Sequence, residues 1–127
     1  MSLFDLWKKP EHLRLGVKGE DAACRYLKKK GYTVLERNYR SGKHEIDIIL
    51  RAPDKRTVVF AEVKTRTNTG HLLPREAVGA SKQRYVITAA QWYLRQARIT
   101  GVPVRFDVIE VYAEEDFRIV HLENAFS

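Results

Sequence analysis

The chain has a single cysteine, Cys24, in its 127 residues. That excludes an internal disulfide and a multi-cysteine zinc centre. The flanking residues Ala22, Ala23, Arg25, Tyr26 and Leu27 read as a helix interior, so a small buried side chain suits Cys24 better than a nucleophile. Long apolar runs are missing too, and without about 18 consecutive apolar residues no helix is expected to span a membrane. Residues 1–10 carry Leu, Phe and Trp, but neither the apolar segment nor the cleavage site of a secretory signal, so a cytoplasmic location is expected. Internal repeats and low-complexity segments are absent. Acidic side chains are scarce: 16 Asp and Glu stand against 23 Lys and Arg, for a formal net charge of +7. Such a balance suggests an anionic partner, nucleic acid first and an anionic membrane surface second, although many small basic proteins bind no polyanion. Lacking a strongly amphipathic basic helix, the chain fits a membrane surface least.

The richest stretch is Glu45 to Lys64. Two apolar β-prone runs, Ile46 to Leu50 and Thr57 to Val63, flank Ala52-Pro53-Asp54-Lys55-Arg56, which has turn chemistry and predicts a β-hairpin. A four-residue turn at Pro53–Arg56 places Asp47 opposite Glu62 and Glu45 opposite Lys64. Opposed residues share a face about 4.5–5.5 Å apart at Cβ, and residues two apart on a strand share it as well. Glu45, Asp47, Glu62 and Lys64 would then form one charged cluster in apolar surroundings. A hard divalent cation would relieve the carboxylate repulsion, since Mg²⁺ takes one or two carboxylates plus waters and phosphate oxygens. A surface ion-pair ladder, with Lys64 offsetting Glu45 and Glu62, accounts for the spacing equally well.

Around this stretch the chain reads as α-β-β-β-α-β-β. Residues 1–10 are an arm, with Phe4 and Trp7 as anchors, and 11–127 form a single domain. The first helix runs from Glu11 to Lys30, with Leu13, Val17, Cys24 and Leu27 at helical spacing and Gly31 as its stop. Gly16 and Gly19 are costly inside a helix unless something approaches closely there. Glu20 falls on the border of the apolar stripe, where a helical glutamate is ordinarily solvated. Tyr32 to Tyr39 is a strand, and residues 40–43 turn into the Glu45 strand. Thr67 to Pro74 is a polar loop beside the cluster, with Arg66, His71 and Arg75 as contact candidates. A second helix extends from Ala80 or Ser81 to Arg98, with Ser81 as N-cap and Gly101 closing it. Val104 to Tyr112 and Phe117 to Glu123 form a second hairpin. Trp92 with Tyr93, and the Phe4–Trp7 arm, are the exposed apolar candidates for a homodimer contact.

Asp47 followed by Glu62-Val63-Lys64 resembles the D…(D/E)-x-K signature of the PD-(D/E)xK nuclease superfamily. A wider set of motifs is similar to the YraN-like small bacterial proteins, which themselves resemble archaeal Holliday junction resolvases. The set comprises Gly16, Gly19, Glu20, Ala23, Tyr26 and Leu27; Arg37 to Arg40; Glu45 to Ile49; Val59 to Arg66; Glu76 to Val78; Lys82; and Arg105 to Ile109. His44 stands where the family usually has glycine.

The resemblance implies an α/β, restriction-endonuclease-like fold, a mixed central sheet of about five strands flanked by helices. It also implies a metal-dependent endonuclease that cleaves phosphodiester bonds in structured, branched or junction nucleic acid, DNA foremost. A non-catalytic, structure-selective binding module is the alternative. Asp47, Glu62 and Glu20 would bind Mg²⁺ or Mn²⁺. Lys64 would orient the attacking water or neutralise charge on the phosphate. Arg66, Lys82 and Arg84 would contact phosphates, while His44 and Glu45 would be auxiliary, Glu45 as an ion-pair partner of Lys64. Asp107 would be a structural partner of an arginine.

Overall fold

The computed structural model describes residues 11–66 and 79–127, with side chains from residue 15 onward. The arm, His71, Arg75 and Glu76 to Val78 lie outside the described residues. Two helices and five strands follow the expected order: α1 (Glu11–Lys29), β1 (Thr33–Ser41), β2 (His44–Arg51), β3 (Val58–Arg66), α2 (Ala80–Gln96), β4 (Val104–Tyr112) and β5 (Arg118–Phe126). The strands form one mixed sheet in the order β1-β2-β3-β4-β5, antiparallel throughout except for the parallel β3–β4 pair. This is the layout expected of a restriction-endonuclease-like domain. No helix among the described residues is long and apolar enough to cross a membrane.

Alternation along β3 feeds both faces of the sheet, as a strand with a two-residue period must. Val59, Ala61 and Val63 pack with Ala22, Ala23, Cys24 and Leu27 of α1, together with Ile48, Leu50, Ile109 and Val111. Val58 and Phe60 point the other way, into a cluster with Ile46, Ile49 and Val86, Ala89 and Ala90 of α2. Cys24 is buried in the α1 layer, and burial pushes its thiol pKa up. Val17, expected on the apolar stripe, is 43% exposed instead. The inward face turns around Gly19, Glu20 and Ala23, where the helix meets β3.

α1 ends in paired bonds, Tyr32 N–H to Leu27 O at 3.0 Å and Gly31 N–H to Lys28 O at 3.0 Å, with Gly31 at φ 94°. This is the Schellman arrangement, in which glycine adopts a left-handed conformation at no side-chain cost. α2 ends the same way without glycine: Arg98 takes φ 57°, Ile99 N–H donates to Leu94 O at 2.9 Å, and Gly101 lies beyond the cap. Its N-cap is Gly79, in extended conformation and with no side-chain cap bond. Ser81, expected as the cap, sits within the first turn.

The β2–β3 hairpin has the register that the turn composition predicts, with Ile48↔Ala61, Ile49↔Phe60, Leu50↔Val59 and Arg51↔Val58. Asp54 organises the turn. Its Oδ1 accepts the Arg56 and Thr57 amides at 2.8 Å, and its Oδ2 accepts the Thr57 hydroxyl at 2.6 Å. These bonds, the Thr57 hydroxyl foremost, hold its pKa down at about 2.

Candidate metal and phosphate site

The site is built where β2 and β3 part. The paired ladder stops at Ile48↔Ala61, although β3 continues beside β4 to Arg66↔Tyr112. β2 also breaks its alternation at this point, because Ile46 belongs to the α2-side cluster and Ile48 to the α1-side cluster. Asp47 lies between them. Its Oδ2 accepts the Val63 amide at 2.8 Å, so a side chain replaces the backbone acceptor that the departing strand no longer supplies. Buried backbone amides need such partners.

Glu62, buried on the α2 side of β3, hydrogen-bonds Asp47. Burial raises the Asp47 pKa and Glu45 adds repulsion, opposed by the Val63 amide, the Glu62 bond and the positive charge of Lys82. Two acids in contact in a partly buried place cannot both ionise cheaply. Lys64 lies one position along the same face, and Lys82 approaches from the first turn of α2. Glu62, Lys64, Lys82, Gln83, Val86, Val108 and Phe126 line a cavity of about 10 Å³, room for roughly one water molecule.

Glu20 reaches the site from the opposite side of the sheet. It is 6% exposed, which overturns the solvated reading of its helical position. Its Oε1 accepts Arg37 Nη2 at 3.1 Å, Arg37 Nε at 3.3 Å and Asn38 Nδ2 at 3.1 Å. Asn38 takes φ 53°, an irregularity of β1 that turns its amide toward the helix. Burial raises the Glu20 pKa, and the negative charge of Asp47 raises it further. Asp47 therefore interacts with Glu20 of α1 and with Lys82 of α2, helices on opposite faces, across the gap in the sheet.

Among the described residues, no group of three or more His, Cys, Asp or Glu side chains is arranged to hold a metal ion. The donors in contact are Asp47 and Glu62. A carboxylate pair fits Mg²⁺, which keeps most of its shell as water and phosphate oxygen. Glu20, engaged by Arg37 and Asn38, stands behind the pair.

The remaining expected site residues divide clearly. Glu45 pairs with Arg40 at 3.6 Å across the β1–β2 ladder rather than with Lys64, because the β2–β3 ladder ends before Glu45. Arg66 Nε donates to Glu110 Oε2 at 2.7 Å, and a second guanidinium contact closes the pair, so this arginine is tied to β4. Arg84 is exposed, with one long contact to Ser81 Oγ at 3.4 Å. His44 stacks on Tyr85, with ring centroids 4.8 Å apart and planes at 32°. Sequence spacing gave no sign of Tyr85, nor of Arg37 and Asn38 as holders of Glu20. Tyr93, grouped with Trp92 as exposed, is instead a core contact of Tyr39 and Phe60.

Asp107 is a structural anchor, as expected. Arg105 binds it twice, at 2.9 and 2.8 Å, and His121 Nε2 lies 2.7 Å from Oδ2. The Asn124 amide donates to it at 2.9 Å. These bonds outweigh burial and leave its pKa lowered.

Comparison with known proteins gives the chain its family. The model for "Uncharacterised protein family UPF0102" matches residues 19–111. A UPF0102 protein of Syntrophotalea carbinolica is 45% identical over 117 residues, 91% of this chain and 94% of that one. One of Bacteroides thetaiotaomicron is 44% identical over 117 residues, again 91% and 94% of the two chains. One of Clostridium beijerinckii is 42% identical over 116 residues, 88% of this chain and 92% of the other. The matched segment contains the whole carboxylate site, from Glu20 to Lys82, and the chain belongs to the UPF0102 family.

Proposed function

We propose that this chain is a metal-dependent endonuclease of the PD-(D/E)xK type, similar to archaeal Holliday junction resolvases and acting on structured, branched or junction nucleic acid. The observation that carries the reading is the contact of Asp47 with Glu62 where β2 and β3 part, with Lys64 beside them on β3. Mg²⁺ or Mn²⁺ bound by this pair would polarise the scissile phosphate and acidify a bound water. Asp47 and Glu62 hold the carboxylates together in a place where ionising both is costly without a cation. The Lys64 ammonium orients the attacking water and offsets charge building on the phosphate oxygens. Glu20 adds negative charge behind Asp47 while remaining fixed by Arg37 and Asn38. Lys82 and Arg84 meet the phosphates on either side. Such contacts position a backbone without reading its bases, which suits recognition by structure.

The test uses labelled flap, fork, four-way-junction and single-stranded substrates with Mg²⁺, Mn²⁺ or EDTA, for the parent protein and for Asp47→Ala and Lys64→Ala. Metal-dependent cleavage that falls at least 100-fold in both variants is the expected result, a loss typical of removing electrostatic stabilisation of a transition state. Binding without cleavage on every substrate overturns the enzyme and leaves a structure-selective binding module.

A further inference from the structure

His44 and Tyr85 form a feature that the carboxylate chemistry does not use. Tyr85 is 49% exposed. Its ring lies over that of His44, 4.8 Å between centroids and tilted 32°. His44 opens β2, three residues before Asp47. Tyr85 lies one helical turn after Lys82, so the two share a face of α2, and the Lys82 charge acts on Asp47. A half-exposed aromatic pair and a cation therefore border the carboxylates together. His44 Nδ1 is buried, with no hydrogen-bond partner among the described residues. That is costly for a pair that serves packing alone.

Resting on the nuclease reading above, we propose that His44 and Tyr85 are a stacking seat for an unpaired nucleobase beside the scissile phosphate. The substrate class is thereby narrowed to nucleic acid with single-stranded character at the cut. A stacked ring accepts any base, because every base presents a π face, and base–aromatic stacking contributes strongly to single-strand binding. Lys82, one turn away, supplies the phosphate contact that such a base brings with it. Bases paired inside a duplex have no free face to offer.

The experiment measures equilibrium binding in EDTA, so that cleavage plays no part. The probes are a forked duplex with a 2-aminopurine in its unpaired arm at the junction and a fully paired duplex of the same length. Each is made as DNA and as RNA, and the tighter set identifies the sugar. The fork is expected to bind about 10-fold more tightly than the duplex, with 2-aminopurine fluorescence quenched on binding. Tyr85→Ala and His44→Gly should each remove most of that preference and the quenching, while Tyr85→Phe retains both. Thermal melts that match the parent protein establish that the variants fold, as expected for an exposed ring. Equal binding of fork and duplex by the parent, or a preference unchanged in Tyr85→Ala and His44→Gly, overturns the seat. A fork preference that behaves as expected here, with no cleavage of any substrate in the metal-dependent assay above, would sink the nuclease reading and leave the seat standing.

Discussion

Asp47 has two duties that conflict. As an acceptor for the Val63 amide it closes the end of a ladder, and as a charge it sits in partly buried surroundings against Glu62, with Glu45 near. Its folded pKa is raised above the ordinary value, so the ionised form is disfavoured by folding. The sign follows: this carboxylate lowers stability at neutral pH, and the penalty is relieved as pH falls through the folded pKa. Asp47→Asn keeps an oxygen for Val63 and discards the charge. We expect it to raise stability by about 0.5–2 kcal/mol at pH 7, the usual range for relieving an unfavourable site, while abolishing the proposed cleavage. Thermal melts at pH 7 and pH 4 provide the check, and the gain should shrink at the lower pH as the parent Asp47 protonates. A loss of stability at pH 7 would show that the charge is already well compensated.

At the scale of elements, α1 and β3 meet where the helix lacks a side chain. A Cβ built on Gly19 would lie within 2.2 Å of Thr65 Oγ1 and 3.3 Å of Thr65 Cβ and Cγ2. Thr65 is fully buried and β-branched, so it has no free rotamer with which to move away. Gly19→Ala should therefore cost about 1–3 kcal/mol despite its helix propensity. Thr65→Ala on the same chain should recover most of the loss. A double-mutant cycle in denaturant measures the coupling, and additive effects would refute the contact.

This element-level packing also explains what the sequence showed. The hairpin register was legible because Pro53 to Arg56 carry turn chemistry between two apolar β-prone runs. Close approach at Gly19 was legible because glycine is costly in a helix. The burial of Glu20 was not, since it depends on Arg37 and on the left-handed Asn38 of β1. Nor was the end of α2, where Arg98 takes the conformation normally left to glycine. The ion pairing of Glu45 turned on which neighbouring strand remains beside it after the sheet splits. The misses at Glu20 and Glu45 concern long-range partners, which local pattern does not encode, and the one at Arg98 concerns a left-handed cap formed without the glycine that signals it.

Across the whole molecule the net charge of +7 sets the expected salt response. A binder of phosphates releases counterions in proportion to its contacts. Lys82 is the cation that α2 places beside the carboxylates, and Lys82→Ala should reduce the slope of log K against log salt by about 1 on every nucleic acid bound. Titrations from 50 to 200 mM salt decide this, and an unchanged slope would remove Lys82 from the interface. Arg66, held by Glu110, serves as the contrast, because its loss should appear first in stability.

The sheet order repeats the chain order, β1-β2-β3-β4-β5. The first three strands and the last two are joined by short reversals, and the β3–β4 pairing spans the greatest separation along the chain. Loop closure is more costly for that pairing than for any hairpin. The Asp47–Glu62 contact belongs to the early, local part of such a folding order. The Asp107 anchor on β4 joins only when the parallel pair closes, whereas α2 docks on Ile46 and Ile49 of β2 and on Val58 and Phe60 of β3. A nascent chain can thus bring Asp47 and Glu62 together before α2 sets Lys82 beside them, which keeps the candidate site unfinished until the later elements are in place.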